Sequence, residues 1–420
     1  MALRSLTPLR HRGFRLLVGG QMASNVGDAF YAVALPWYVL AHHGGALLLA
    51  VVLVAYGVPR TVLVAVGGHA SDRWRPWSVM MNADAVRAAA LAALAWVALS
   101  GRADVVVLVP IAAILGAGEG LFLPGSFAII PSLLPDEDLQ AGNALASSGT
   151  QLSMLIGPAL GGLLVAFAGP STAFLVDAGT FVLSTASLAR IRSLQSGLPA
   201  VAPAPDGAPE AESGRLPTLR QFLRAQRVLQ IILLITVAAN LGSGGLSEVA
   251  LPALVHGPFH GSASGYGVLI AAFGAGGLLG TLVAAQTPQV RRPAVIGSLA
   301  FLGEAVCMIV IPYGGLIGAG LALAAFGGLN GFGNVMTITA FQRWAPPAMR
   351  GRLMGLLLLS SFGIFPVSVL LGGVIVHAFG PAVFFPLAGV ILMLAVLGGL
   401  ITPEWRAFGS RDQRELEPAH

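Results

Sequence analysis

The sequence predicts an all-α membrane protein with twelve transmembrane helices, arranged as two six-helix repeats. The observations behind this prediction are an apolar composition, a one-sided distribution of arginine and an internal repeat. Of the 420 residues, 56% are hydrophobic and only 10% are charged, whereas soluble domains have roughly 45–50% and 25%. The 55 glycines lie within long apolar runs, which is typical of membrane helices that pack closely.

Twelve apolar stretches are long enough to cross a hydrocarbon core, which requires roughly 20 helical residues. The third stretch is the least apolar because it contains Asp84 and Arg87. The predicted spans are 14–40, 46–67, 78–100, 104–130, 141–168, 172–190, 228–254, 266–286, 294–312, 316–342, 353–378 and 382–401.

The distribution of arginine predicts the orientation of these spans. All 23 basic residues are arginine. With the N-terminus in the cytoplasm, twenty of them fall in inner segments, while Arg102 is in an outer loop and Arg60 and Arg87 are within spans. Cytoplasmic loops carry such an excess, so we expect a multi-pass protein of the inner membrane with both termini cytoplasmic. This arrangement accounts for the net charge of +5 through contact with lipid, without a nucleic-acid partner.

The residue inventory excludes several kinds of chemistry. A chain without lysine cannot form a Walker-type P-loop, and its one cysteine, Cys307, can form neither an internal disulfide nor a cysteine-based zinc site. No H-E-x-x-H motif and no nucleophile–base pattern occur. We therefore expect no cofactor, no metal and no enzymatic activity, and we expect the protein to be a monomer.

The chain divides into four predicted segments. The second segment contains a Pro- and Ala-rich stretch, typical of a flexible linker. A short amphipathic helix on the membrane surface and a solvated connector are both compatible with the end of this linker. The segments are a first six-helix bundle at 1–190, a cytoplasmic linker at 191–227, a second bundle at 228–401 and a cytoplasmic tail at 402–420.

The two bundles repeat each other in sequence. GGLLVAFAGP at 161–170 matches GGVIVHAFGP at 372–381, and the segment Asn25-Val-Gly27 matches Asn240-Leu-Gly242. Two parallel repeats of six spans are the plan of transporters that bind substrate near the bilayer midplane.

Two short motifs resemble signatures of the major facilitator superfamily. The loop after the second span contains Gly68, Asp72, Arg73 and Arg75 in a pattern similar to G-x-x-x-D-R-x-[RK]. The fifth span carries a G-P-x-x-G-G pattern that resembles the motif of that family's antiporters. Together with FRLLVGGQMASNVGDAFYAVALPWYVL and AFLVDAGTFVL, the chain resembles the branch of macrolide-efflux and enterobactin-export proteins. The resemblance implies alternating access, and its antiporter-like residues are Gly157, Pro158, Gly161 and Gly162.

Charged side chains inside spans are functional candidates, because each costs about 2.5–3.5 kcal/mol near the bilayer centre. Asp28 lies within the first span, and polar residues recur around it at helical spacing, which predicts a stripe facing a wet cavity. We expect Asp28 to bind a proton or a cation; a role in helix packing or gating is the alternative. The other members of the stripe include Gln21, Asn25 and Tyr31.

Glu119 and Arg60 form a second candidate site. Glycines flank Glu119 in the segment Gly116-Ala-Gly118-Glu119-Gly120, which predicts close helix contact and burial. An unpaired buried arginine is unfavourable, so we expect Arg60 to pair with Glu119 or Asp28. A purely structural ion pair is the alternative.

Further candidates are less specific. Glu248 is a candidate for a gate near the outer end of the seventh span, and Glu304 is better explained by packing. The aromatic candidates have core packing or an interfacial belt as alternatives. The predicted cavity-lining residues in addition to the stripe are Phe30, Trp37, Gln151, Asn240, Asn330 and Asn334.

The inner loop suggests a conformational latch. Asp84 and Arg87 are three residues apart, and therefore share a helix face, where we expect them to act with the loop. An anchor fixed only by topology is the alternative. The predicted latch residues are Gly68, Asp72, Arg73, Arg75, Asp84 and Arg87.

These features favour a secondary transporter that exports an amphipathic small molecule, such as a drug, a macrolide-like compound or a siderophore, against proton entry. Without an ATPase site, uphill transport by this chain needs an ion gradient. Proton-coupled uptake of a metabolite is the alternative within the same fold. A membrane-embedded enzyme and a non-transporting sensor or scaffold are alternatives from other classes.

Overall fold

The computed structural model describes residues 4–42, 45–73, 75–101, 104–195, 223, 226–287, 292–344, 353, 356–357, 360–361 and 363–408. In these segments every regular element is a helix. The linker residues 196–222 and 224–225 and the tail residues 409–420 lie outside the described part, as do Arg102 and the loop residue Trp74.

Five long helices form the first half of the chain. A helix pairs its backbone hydrogen-bonding groups within the segment, which suits these apolar sequences to the membrane interior. Short 3-10 turns, Arg4–Arg10 and Ile130–Ser132, precede α1 and follow α4. The helices are α1 (Arg12–Ala41), α2 (Gly45–Arg73), α3 (Pro76–Leu99), α4 (Val105–Ala128) and α5 (Asp136–Gln195).

The described part of the second half contains eight helices, two of them very short. A π-helical segment, Leu246–Ala250, separates α6 from α7, and a 3-10 turn, Ile311–Tyr313, follows α9. The helices are α6 (Arg227–Gly245), α7 (Leu251–His256), α8 (Ala263–Gln286), α9 (Pro293–Val310), α10 (Gly315–Trp344), α11 (Phe365–Phe379), α12 (Pro381–Ile401) and α13 (Pro403–Ala407).

The helices are consistent with the predicted spans. Nine helical stretches in the described part are long and apolar enough to cross a membrane, and one of them, within α5, covers the fifth and sixth predicted spans. The first predicted span coincides with α1, and the eleventh contains the shorter α11. The all-α class is therefore confirmed, and the count of twelve agrees with the described helices.

The same sharp corner occurs once in each repeat. Gly169 breaks α5 into two arms with φ 82° and ψ 165°, and Gly380 separates α11 from α12 with φ 85° and ψ 162°. A positive φ favours glycine, and each glycine is followed by a proline, which is suited to the first turn of a helix. The matched sequences at 161–170 and 372–381 therefore form matched structures.

The chain forms two compact units. The first comprises Met1–Glu210 with Ser262–Ala271, and the second comprises Ala211–Gly261 with Ala272–His420. In the first unit, Phe14, Leu17 and Met80 belong to a buried cluster at one end of the helices. In the second, Trp405 is buried and its Nε1 donates to Ser298 Oγ at 2.9 Å, which fixes α13 to α9. The sequence-based bounds of the bundles and linker stay a prediction.

Candidate functional site

The first unit brings six charged side chains and one tyrosine together inside its helices. They come from α1, α2, α3, α4 and the second arm of α5, so residues distant in sequence meet in one place. We call this set the charge cluster: Asp28, Tyr56, Arg60, Asp84, Arg87, Glu119 and Asp177.

Asp28 and Arg87 form the tightest ion pair of the cluster. Arg87 Nη2 donates to Asp28 Oδ1 at 2.6 Å, a short, charge-assisted contact. The Arg87 guanidinium also lies over the Phe181 ring, 4.0 Å from its centroid, which adds a cation–π contact. The side chain of Arg87 is 4% exposed and that of Asp28 is 38% exposed. The pair is therefore accessible to a molecule the size of water from the side of Asp28.

Arg60 and Glu119 form the second ion pair. Arg60 Nη2 lies 3.1 Å from Glu119 Oε1, and the Tyr56 hydroxyl donates to Glu119 Oε2. Glu119 is thus one of the two acids that the sequence proposed as the partner of Arg60. The glutamate has a charged and a neutral donor, one on each oxygen.

Glycines position this second pair. A Cβ on Gly116 would collide with the backbone oxygen of Tyr56, and one on Gly120 would lie 2.5 Å from that of Arg60. Gly118 faces α3, where a Cβ would lie 2.6 Å from Arg87 Cγ. The glycines on either side of Glu119 thus allow α4 to contact α2 and α3 directly.

Two further acids of the cluster bind hydroxyl groups. Ser184 Oγ donates to Asp84 Oδ2 at 2.6 Å, and Thr180 Oγ1 donates to Asp177 Oδ1 at 3.3 Å. Both aspartates have 0% exposure. Asp84 Oδ1 and Asp177 Oδ2 have no hydrogen-bond partner among the described residues. The cluster therefore contains two carboxyl groups paired with arginine and two that contact only hydroxyls.

The residues of the predicted stripe and their neighbours differ in burial and in contacts. Asn25 Nδ2 donates to Thr150 Oγ1 at 3.2 Å and so ties α1 to α5. Tyr31 is buried, and its ring centroid lies 6.2 Å from that of Tyr56. Phe30 is buried, Gln21 and Trp37 are half-buried, and Gln151 is exposed.

The candidates of the second unit form separate contacts. Asn330 Nδ2 donates to Glu304 Oε2 at 3.1 Å, and Asn334 Nδ2 donates to Asn330 Oδ1 at 3.1 Å. Asn240 Nδ2 donates to Ser361 Oγ at 3.4 Å. Glu248 is half-buried within the π-helical segment.

The latch role of Arg87 stays a prediction. Its guanidinium is part of the charge cluster, and Asp84 binds Ser184. The helix face that Asp84 and Arg87 share points into the unit.

The remaining latch residues are described only in part. Arg75 is exposed, and the side chains of Gly68, Asp72 and Arg73 lie outside the described residues although α2 includes their backbone.

The antiporter-like motif in α5 packs against α1. A Cβ on Gly157 would lie 2.5 Å from Ala29 Cβ, and one on Gly161 would lie 3.0 Å from Phe30 Cα. Pro158 and Gly162 are buried as well. The motif thus brings the first arm of α5 against the helix that carries Asp28.

Tyr56 and Asp177 are not among the site residues predicted from the sequence. Asp177 lies in the apolar run AFLVDAGTFVL, and the insertion cost that identified Asp28 applies equally to it. Tyr56 carries no such signal, because a tyrosine in an apolar helix is also typical of core packing.

A multi-pass helical protein with buried ion pairs inside its bundle has the features of a membrane transporter. Residues 3–400 match the family model described as transmembrane secretion effector. The chain therefore belongs to this family of the major facilitator superfamily.

Two relatives and one solved structure align with most of this chain. The multidrug efflux pump Tap of Mycolicibacterium fortuitum is 28% identical, with 91% of this chain and 94% of the relative covered. The enterobactin exporter EntS of Citrobacter koseri is 27% identical, with 82% and 81% covered. Among solved structures, an inward-facing bacterial homologue of the iron transporter ferroportin has a TM-score of 0.69 at 17% identity, with 92% of this chain and 98% of that chain covered. The last similarity concerns the fold alone.

Proposed function

We propose that this protein exports an amphipathic small molecule across the cytoplasmic membrane in exchange for protons, by alternating access. The observation that carries the proposal is the Asp28–Arg87 pair, because Arg87 is buried and Asp28 is the more exposed partner. A proton on Asp28 neutralises the carboxylate, and a polar or cationic group of a substrate competes for the same oxygens. Either event frees Arg87, so the binding of one ligand disfavours the binding of the other.

Two relatives support the direction of transport. Their names describe export of drugs and of a siderophore, and they align with this chain over at least four fifths of its length. An export cycle needs an energy source, and one proton crossing 100 mV supplies about 2.3 kcal/mol. The proposal includes a monomer within the lipid bilayer, with both termini in the cytoplasm.

The other candidates take supporting roles in this proposal. Arg60 and Glu119 form a second charged pair that responds to protonation of the first, and Glu248 acts as a gate. Gln21, Asn25 and Tyr31 line the path of the substrate. The loop containing Asp72 and Arg73 closes the cytoplasmic side.

A substrate panel tests the proposal. The protein is produced in an efflux-deficient bacterial host and exposed to amphipathic drugs and to the siderophore enterobactin. We expect the wild type to reduce accumulation of at least one compound and Asp28→Asn to abolish this effect. Glu304→Gln is the matched control, because it also converts a buried acid to an amide but lies outside the charge cluster. Undiminished, pH-dependent efflux by Asp28→Asn would contradict the role of this residue.

Inverted membrane vesicles determine the direction of transport. We expect a compound identified by the panel to accumulate inside inverted vesicles that are acidified internally, and a protonophore to stop its accumulation. Accumulation in right-side-out vesicles under an inward proton gradient would instead indicate uptake.

A further inference from the structure

Asp177 lies deeper in the charge cluster than the pair that the proposed function uses. Its side chain is fully buried, its Oδ2 has no hydrogen-bond partner among the described residues, and its Oδ1 is bound only by the hydroxyl of Thr180 at 3.3 Å. Gly27, the residue before Asp28, is the nearest part of α1: a Cβ on Gly27 would collide with Asp177 Oδ1. The absence of a side chain at Gly27 therefore gives Asp177 its place beside Asp28.

The cluster has more carboxyl groups than cations. It contains four acids and two arginines, and each arginine is already paired with a different acid, at 2.6 Å and 3.1 Å. An isolated carboxylate out of contact with water is strongly unfavourable and takes up a proton instead. Among the described residues, the carboxyl groups of Asp84 and Asp177 hydrogen-bond only to hydroxyl groups. In this buried site they are therefore most stable as neutral, protonated acids.

Arg87 contacts the helix face that carries Asp177. Its guanidinium lies over Phe181, which is four residues after Asp177 and so on the same face of α5. Arg87 Nε has no hydrogen-bond partner among the described residues. Asp28 on α1 and Arg87 on α3 are the charged groups that interact electrostatically with Asp177. Arg87 Nη2 contacts Asp28 in this conformation, and Asp177 is the second carboxyl group on the helix face that carries Phe181.

We propose that Asp177 carries a proton and is the alternative partner of Arg87. When Asp28 takes up a proton from water, an O–H bond forms on Asp28 and its ion pair with Arg87 breaks. Arg87 then pairs with Asp177, whose O–H bond breaks and whose proton passes to water. One proton is bound and one is released, so the cluster keeps its net charge. This exchange deepens the proposed function and rests on it for its role in transport.

Infrared spectroscopy of the reconstituted protein tests the exchange without a substrate. A protonated carboxyl group has a carbonyl-stretching band that a carboxylate lacks, and the difference between wild type and Asp177→Asn identifies the band of Asp177. We expect this band in the wild type at neutral pH. We expect Asp28→Asn to lose it as well, because Arg87 then pairs with Asp177 and the acid ionises.

Glu119→Gln is the matched control for this measurement. It removes the other arginine-paired carboxylate but leaves Arg87 on Asp28, so the Asp177 band should remain. If the band has the same intensity in Asp28→Asn as in the wild type, Arg87 does not change partners. If Asp177→Asn removes no carbonyl band, Asp177 is ionised in this conformation; either result overturns the proposal. Asp177→Asn is isosteric with the neutral acid, and size-exclusion chromatography verifies that it remains folded.

A transport measurement then connects the exchange to coupling. Ethidium is the amphipathic probe in proteoliposomes with an imposed proton gradient. We expect Asp177→Asn to lose gradient-driven ethidium accumulation by about tenfold or more, within the usual range of coupling between sites. Accumulation equal to that of the wild type would contradict the proposal. Failure of the wild type to accumulate ethidium would count against the proposed function, whereas the infrared result would still decide the exchange of Arg87.

Discussion

The two repeats join corresponding helices in the same way but place different chemistry at the joint. In the first unit, Gly116 and Gly120 lie against the backbone oxygens of Tyr56 and Arg60, and Glu119 lies between the two glycines. These side chains form the second ion pair of the charge cluster.

The second unit repeats the contact without the charges. The corresponding glycines, 211 residues later, are Gly327 and Gly331, and they lie against the backbone oxygens of Phe273 and Gly277. Asn330 lies directly before the second of these glycines and corresponds to Glu119. At this contact the second unit thus has phenylalanine, glycine and asparagine where the first unit has tyrosine, arginine and glutamate.

The first helix of each unit shows the same contrast. Asn25 and Asn240 each donate to a hydroxyl, that of Thr150 at 3.2 Å and that of Ser361 at 3.4 Å. Three residues later, the first unit has Asp28 and the second has Ser243.

Asp177 also has an uncharged counterpart in the second unit. It corresponds to Ala388, whose Cβ lies 3.3 Å from the Cβ position of Gly242, the match of Gly27. Helix packing is therefore set by glycine and amide positions that the repeats share. The charge is set by a few substitutions that packing tolerates.

Removing the cation at the centre of the cluster should have the largest effect. We expect Arg87→Gln to lower the free energy of unfolding by about 3–5 kcal/mol, because removing the buried member of the ion pair leaves the Asp28 carboxylate without its counter-charge. Thermal unfolding in detergent measures the loss. The control is Arg227→Gln, whose pair with Glu404 is exposed at 3.4 Å and should contribute only about 0–1 kcal/mol. Equal effects of the two substitutions would indicate that the central pair is not desolvated.

The shared glycine contacts should be equally sensitive in both units. Gly116→Ala and Gly327→Ala should each lower the free energy of unfolding by about 1–3 kcal/mol, because the added methyl group separates two helices. Gly19→Ala is the control, since a Cβ there has no heavy atom within 4 Å and alanine favours the helix by about 1 kcal/mol. A loss confined to Gly116→Ala would indicate that the repeats do not share this joint.

The amide–hydroxyl contacts should contribute less, and by similar amounts. We expect Asn25→Ala and Asn240→Ala each to lower the free energy of unfolding by about 0.5–1.5 kcal/mol, the usual net contribution of one hydrogen bond. Unfolding curves of both variants, measured in the same detergent, provide the comparison. A much larger loss for Asn25→Ala would assign it a role in the charge cluster beyond packing.

The buried acid of the second unit should matter least to transport. We expect Glu304→Gln to leave the pH profile of export unchanged, because its amide partner Asn330 offers no cation that responds to a proton. Export measured over a range of pH verifies this. A shift of the profile would extend proton coupling to the second unit and weaken the contrast between the repeats.

Much of the fold follows from the sequence because its signals are local. Span length and the positions of proline and glycine are properties of short segments, and so is the corner at Gly169. The π-helical segment with Glu248 was not predicted, because a single extra residue per turn leaves hydropathy unchanged.

The site was predictable only in part. An acid inside an apolar span is recognisable from sequence, so Asp28 and Glu119 could be selected, and Asp177 could have been. The partner of Arg87 could not be predicted in this way. Helical spacing relates Arg87 to Asp84 on the same helix, whereas its ion pair forms with Asp28 on α1. A hydroxyl such as that of Tyr56 becomes informative only when a carboxylate is placed beside it.

The corners at Gly169 and Gly380 leave no spare chain between the helices they connect. Each corner consists of one glycine followed by a proline. A tilt of one helix therefore turns its neighbour with it, and the two helices of each hairpin move as one rigid unit. Displacements during a transport cycle must then be absorbed by longer connections, such as the one between His256 and Ala263. Lengthening either corner by a few flexible residues would decouple the two arms.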